Sequence, residues 1–291
     1  MNRLKKVRQV LFFTLILNIA VAVAKIVYGY LTDSISMLSD GFHSFFDGTS
    51  NIIGLIGIWM ASHPPDEDHP YGHRKFETLS TIAIVVLIFS AGIEILREAY
   101  SRLSTPLHVE VTSLSFIIMG ITLVINIWVM TYETRKGREL KSDFLIADAM
   151  HTKTDIFISL SVVASLLAAR MGYPAIDLVA AFAITLFIAK MGISILKSAT
   201  AVLTDAACMD PGEIRTVVQK VQGVKACHGI RTRGNEDSVN IDLHVMVDPD
   251  MKTSDAHDTA HEVEEALKKS FSSVVDVVIH IEPYKPVKTK D

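Results

Sequence analysis

Hydrophobic residues run in long blocks over roughly the first two thirds of the chain and then give way to short alternating stretches. Six blocks, near 10–31, 35–61, 79–103, 112–132, 144–171 and 176–203, are each long enough to cross about 30 Å of hydrocarbon as a helix, which takes roughly 20 residues. Most of them contain at least one charged residue, so hydropathy alone blurs their ends. The first follows Arg3, Lys5, Lys6 and Arg8, as a signal peptide would, but its apolar run is too long and no small-residue cleavage site follows. It is expected to span.

After Leu203 the period changes. Asp210-Pro211 predicts an N-cap with proline at the first helical position, and Gly223 is expected to close that helix behind Ile214, Val217, Val218 and Val221. A strand is predicted over 226–232. Along 238–247, Val239, Ile241, Leu243, Val245 and Val247 alternate with Asn240, Asp242, His244 and Met246, the mark of a half-buried strand. Ser254 is expected to cap a helix reaching about Phe271, and 275–281 alternates again. The fold class is therefore a membrane all-α unit of six transmembrane helices over 1–207, followed over 208–291 by a small α+β domain ordered αββαβ.

Composition and charge narrow the function. Hydrophobic residues make up 49% of the 291 and the net charge is −4, with no basic stripe outside the membrane-flanking loops, which excludes a nucleic-acid role. Arg74, Lys75, Arg135, Lys136, Arg138 and Lys141 share the side of the basic N-terminus, and little beyond Arg102 and Arg170 lies opposite. Both termini are thus expected in the cytoplasm, with the chain multi-pass in the inner (plasma) membrane. Cys208 and Cys227 lack metal-binding spacing and, on that side of the membrane, are not expected to pair.

The chemistry lies in ionisable groups set inside apolar runs. His43-x-x-x-Asp47 and His151-x-x-x-Asp155 each place an imidazole and a carboxylate on one helical face. An aspartate at the centre of a bilayer costs roughly 2.5 to 3.5 kcal/mol on insertion scales, so two such pairs demand a use. Together they can form a tetrahedral N2O2 site, which suits zinc better than the oxygen-demanding calcium or magnesium. Protons compete with metal for such ligands, which by itself couples metal release to proton uptake. Asp40 shares the first pair's face as a supporting group. Asn51, Glu94 and Asp177 read as interhelical hydrogen-bonding groups. A metalloenzyme is disfavoured because His-Glu-x-x-His is absent. A membrane metal sensor would not need the buried quartet. Two further groups stand outside the spans: Asp66-x-x-His69-x-x-x-His73 in a loop, and His228, Asp242, His244, His257, His261, His280 and Glu282 in the soluble domain, with His244 and His261 the weaker candidates.

Six spans, Ser39-Asp-Gly-Phe-His43-Ser-Phe-Phe-Asp47, Asp66-Glu-Asp-His69-Pro-Tyr-Gly72-His73-Arg-Lys75 and His151-Thr-Lys-Thr-Asp155 together resemble the cation diffusion facilitator family over nearly the whole chain, including Ile230-Arg-Thr-Arg-Gly234 and Val278-Ile-His280-Ile-Glu282-Pro283. The resemblance implies a homodimeric secondary transporter that exports zinc from the cytoplasm in exchange for protons by alternating access. Other divalent metals, such as Fe2+, Cd2+ or Mn2+, would be exported by the same mechanism. It further implies that His43, Asp47, His151 and Asp155 are the transport site and that Asp66, His69 and His73 are a loop metal site. The soluble part would be metallochaperone-like, with regulatory zinc on His228, Asp242, His257, His280 and Glu282. Lys75 and Asp205 resemble a charge pair tying two protomers, and Asp commonly stands where this chain has His43. His63 has no counterpart in that pattern.

Overall fold

The computed structural model describes residues 3–31, 35–104, 113–170 and 175–285. Within them the side chains of Asp40, His43 and Asp177 lie outside the described set. The order is six long helices, α1 (Arg3–Leu31), α2 (Ile35–Ala61), α3 (Lys75–Ser104), α4 (Ser113–Glu139), α5 (Asp143–Arg170) and α6 (Ala175–Leu203), and then α7 (Pro211–Val218), β1 (Ala226–Asn235), β2 (Ser238–Val247), α8 (Thr253–Ser270) and β3 (Val274–Pro283). The chain divides into two compact units, Met1–Ala199 and Thr200–Asp291.

In the first unit the helices outrun the apolar blocks: α1 already contains the basic residues from Arg3 onward, and α4 continues to Glu139. Backbone hydrogen bonding carries a helix past the hydrocarbon limit as long as no breaker intervenes. Among the described residues, three helical stretches, Arg3–Leu31, Lys75–Arg97 and Ala181–Leu203, are long and apolar enough to cross a membrane by length and composition. Ionisable groups interrupt the runs of α2 and α5, where Asp40, His43 and Asp47, and Asp148, His151, Lys153 and Asp155, stand. Small residues allow close packing: a β-carbon on Gly54 of α2 would collide with the Phe144 ring of α5. At one end of this unit Arg3 holds three elements together. Its guanidinium donates twice to Glu77 of α3, at 2.8 and 3.0 Å, and to the backbone oxygens of Leu140 and Lys141 at 2.7 Å each. The Ser142 hydroxyl adds a 2.6 Å bond to the same carboxylate. Lys141 takes φ 48°, a left-handed residue that ends α4 and lets α5 begin two residues later.

The second unit has a three-stranded sheet ordered β1-β2-β3, with β1 antiparallel and β3 parallel to β2. Strand β2 alternates as its sequence demands, burying Val239, Ile241, Leu243, Val245 and Val247 against Ile214 and Val218 of α7 and Val263 and Leu267 of α8. The opposite face presents Asn240, Asp242, His244 and Met246. Asp210 caps α7 through a 3.2 Å bond from the Gly212 amide. The helix ends at Val218, earlier than Gly223 suggested, because the chain continues in shorter i→i+3 turns from Lys220 to Val217 and from Val221 to Val218. Helix α8 begins at Thr253 behind Lys252, which makes no side-chain cap; the Ser254 hydroxyl bonds Asp255 instead.

Candidate metal centres

Asp47 on α2 and His151 and Asp155 on α5 meet in one cleft. One ligand atom from each lies within 4.8 Å of the other two, a span that a single ion bonding each at about 2 Å can bridge after small rotamer adjustments. The four-residue spacing on α5 puts its two ligands on one side, and α2 supplies the third from across the cleft. Asn18, Ser44, Asn126 and Thr152 also line it. His43 stands one helical turn before Asp47 on α2, but its side chain lies outside the described residues. The Lys25 ammonium, reaching in from α1, donates to the Ser44 hydroxyl at 2.9 Å.

Behind this cleft is a polar network that the apolar pattern concealed. Asn51 donates to Asp148 on α5 at 2.8 Å and to Thr14 on α1 at 3.2 Å, and accepts from Asn18 at 2.9 Å. Glu133 of α4 faces Asp148 and Thr14, and both carboxyl residues are only 1% exposed. The hint in the sequence was Asp148 standing three residues before His151, on the same helical face. The expected interhelical role of Asn51 thus corresponds to bonds with two other helices, whereas Glu94 is exposed.

The loop between α2 and α3 gathers Asp66, His69 and His73, again with ligand atoms within 4.8 Å of one another. The Asp66 carboxylate accepts from the His69 amide at 2.7 Å and lies 3.4 Å from His73 Nε2. That amide bond, and then the neighbouring imidazoles, hold Asp66 below the usual carboxylate range against a partial desolvation that pushes the other way. His73 Nδ1 faces the Pro64 carbonyl at 3.2 Å. A carbonyl only accepts, so this contact calls for a proton on Nδ1, the arrangement that in a neutral ring offers Nε2 to a metal. His63 bonds the Trp59 carbonyl at 3.0 Å, and its ring is 5.8 Å from that of His73.

In the sheet unit, strand register makes the third centre. His228 pairs with His244, and His244 with His280, so three imidazoles cross β1, β2 and β3 in a row with neighbouring rings 4.9 Å apart. Glu282, two residues beyond His280, accepts from His244 Nδ1 at 2.8 Å and from His228 Nε2 at 3.0 Å, and lies 3.7 Å from His280 Nε2. The bonds from His244 and His228, with the charge those rings can carry, hold the Glu282 carboxyl below its usual range. Gly229 makes this possible. It sits at φ 61° in the irregularity between His228 and Arg231, and a β-carbon there would stand 3.2 Å from the His244 ring. The structure does not bring Asp242 or His257 into this cluster. Asp242 faces Arg231 and Arg233 at 3.8 Å each, and His257 pairs with His261 on α8. His244, the weaker candidate by sequence, stands at the centre. Cys208 and Cys227 are both free thiols, raised by burial above the usual thiol range.

A family model described as the cation efflux transmembrane domain matches residues 11–204, and one described as the cation efflux protein cytoplasmic domain matches residues 209–284. The chain belongs to the cation diffusion facilitator family. Relatives of this facilitator match it over most of its length: an uncharacterized transporter, MJ0449, of Methanocaldococcus jannaschii is 31% identical, with 96% of this chain and 99% of that one covered. The manganese efflux system protein MneS of Bacillus subtilis is 28% identical with 97% of each covered. The cation-efflux pump FieF of Serratia proteamaculans is 27% identical, over 89% of this chain and 87% of its own. The facilitator is a divalent-metal efflux transporter in a membrane, made of a helical membrane unit and a C-terminal sheet domain.

Proposed function

We propose that this facilitator exports zinc from the cytoplasm in exchange for protons, working as a homodimer whose membrane helices alternate their access. The observation that carries the reading is the convergence of Asp47, His151 and Asp155 within 4.8 Å between α2 and α5, with His43 one turn from Asp47 as the fourth ligand. Two imidazoles and two carboxylates suit a borderline ion in tetrahedral geometry. Metal binds these groups only when they are deprotonated, so loading expels protons and proton entry from the far side displaces the metal. Both termini and the sheet domain lie in the cytoplasm on this reading, in keeping with the basic loops. The loop centre of Asp66, His69 and His73 is a second metal site, and the row His228, His244 and His280 with Glu282 is a regulatory zinc site that senses cytoplasmic metal.

Manganese is the second reading, favoured by the names of two Bacillus subtilis relatives, MneS and MneP, both manganese efflux system proteins at 28% and 29% identity. Imidazole argues the other way, because manganese prefers oxygen ligands. Proteoliposomes loaded with a pH dye and given zinc, manganese, cadmium, iron or cobalt in turn decide between them. Zinc flux accompanied by counterflow of protons is expected. Manganese flux well above zinc flux would replace the zinc reading, and metal flux with no pH change would remove proton exchange.

A further inference from the structure

One wall of the cleft beside α2 and α5 is α1, and that wall carries a buried cation. Asn18 and Val21 line the cleft, and Lys25 stands four residues beyond Val21 on the same helical face. It is 5% exposed within the apolar run of α1, where an ionisable side chain is retained for a use. Gly41 of α2 gives it room. A β-carbon there would stand 2.8 Å from the Ile26 backbone nitrogen and 3.1 Å from Lys25 Cβ, so the glycine lets the two helices pass this closely. A helical side chain leans toward the N-terminus of its helix, which carries the Lys25 ammonium back along α1 to the Ser44 hydroxyl at 2.9 Å. Ser44 itself lines the cleft, three residues before Asp47 and roughly 4.5 Å from it along the axis of α2.

We propose that Lys25 is a tethered cation of the transport cleft, which limits how tightly a divalent ion is held by opposing its charge. The proposal rests on the reading of Asp47, His151 and Asp155 as the transport site. Two ionised aspartates and one ammonium leave the empty cleft with one net negative charge. A divalent ion then turns that to one net positive charge, where without Lys25 the loaded cleft would be neutral. Like charges this near in a partly buried site repel, so the ion is held less tightly than its ligands alone would hold it. A carrier benefits from that, because a site that binds too well loads once and empties slowly. Ser44, whose hydroxyl accepts from the ammonium, is the positioning residue.

Zinc titration calorimetry on the full-length protein in detergent, with His69→Ala, His73→Ala, His228→Ala and His244→Ala removing the loop and sheet centres, reads this directly. Asp155→Ala added to that background identifies the binding event that belongs to the cleft. Lys25→Met is expected to tighten that event about tenfold or more, and in proteoliposomes to lower KM and maximal zinc flux together, since release slows. Lys25→Arg, which keeps the charge, should match the parent in both. The direction decides, because a lysine serving only helix packing would weaken binding when replaced. Lys25→Gln keeps a polar contact for Ser44 but no charge; it should tighten binding as Lys25→Met does, and it carries the test if the apolar variant does not fold. Unchanged or weakened zinc affinity in a folded Lys25→Met or Lys25→Gln overturns the proposal. Retention of every binding event in Asp155→Ala overturns the transport reading and the proposal with it, whereas loss of one event in Asp155→Ala with unchanged affinity in Lys25→Met removes the proposal alone.

Discussion

The cleft between α2 and α5 and the open face of the sheet use the same ligand types in opposite surroundings. His151 is only 7% exposed, between helices, while the imidazole of His228 is 47% exposed on a strand. In the cleft His151 is buried and Asp47 and Asp155 are half-buried, so on the proposed reading helix movement would release an ion held there. On the sheet, solvent reaches the ligands, and on the same reading metal would exchange without any such step. Burial, more than ligand identity, therefore separates the proposed conduit from the proposed sensor. The neighbourhood of each site agrees. The cleft is backed by Asn51, Glu133 and Asp148, which join α1, α2, α4 and α5, and the sheet cluster is backed by one glycine bulge.

The largest effect that can break this comparison is on flux. Asp47→Ala or Asp155→Ala should reduce zinc flux in proteoliposomes to the background of empty vesicles while the protein remains folded, whereas Glu282→Ala should retain most of it. Equal loss in all three would merge the two roles. Metal binding to the sheet comes next. With zinc at a hundred times its dissociation constant, the occupied site should raise unfolding stability by about 2.7 kcal/mol, and His280→Ala/Glu282→Ala should erase that gain in a thermal melt. His244→Ala should do the same, since His244 sits between the other two rings; a full zinc response in His244→Ala would displace it from the centre.

A smaller effect tests the network behind the cleft. Asn51→Ala leaves the buried Asp148 oxygen and the Thr14 hydroxyl without their amide partner, and should lower stability by about 1 to 3 kcal/mol, read as a reduced melting temperature in detergent. The same substitution on an exposed helical face would cost a few tenths. Smallest is the pH response of the metal-free sheet cluster. Glu282 is held below its usual range by His244 and His228, so its contribution to stability is complete above the ordinary carboxylate range and is lost as pH falls through its lowered folded value. Glu282→Gln should flatten that acid limb of the melting profile. An unchanged limb would show that the imidazole bonds add nothing in solution.

Much of this was legible in the chain because the governing distances are local. The four-residue spacing of His151 and Asp155 specifies a shared helical face wherever the helix goes, and alternation from Val239 to Val247 specifies which side of β2 is buried. Asp210-Pro211 placed the start of α7 for the same reason. Partners across elements were not legible. His244 became central, and Asp242 turned to Arg231 and Arg233, because the register of β1 against β2 slips between His228 and Arg231, and register is set by long-range pairing and packing. Glu133 and Asp148 lie fifteen positions apart on two helices joined by the turn at Lys141, and no periodicity announces that they meet. The sequence by itself determined the helices, the strands and the faces on which ligands stand, since those follow from backbone geometry a few residues long. Only the tertiary structure decided which faces meet, because that depends on how whole helices and strands pack across tens of residues of intervening chain.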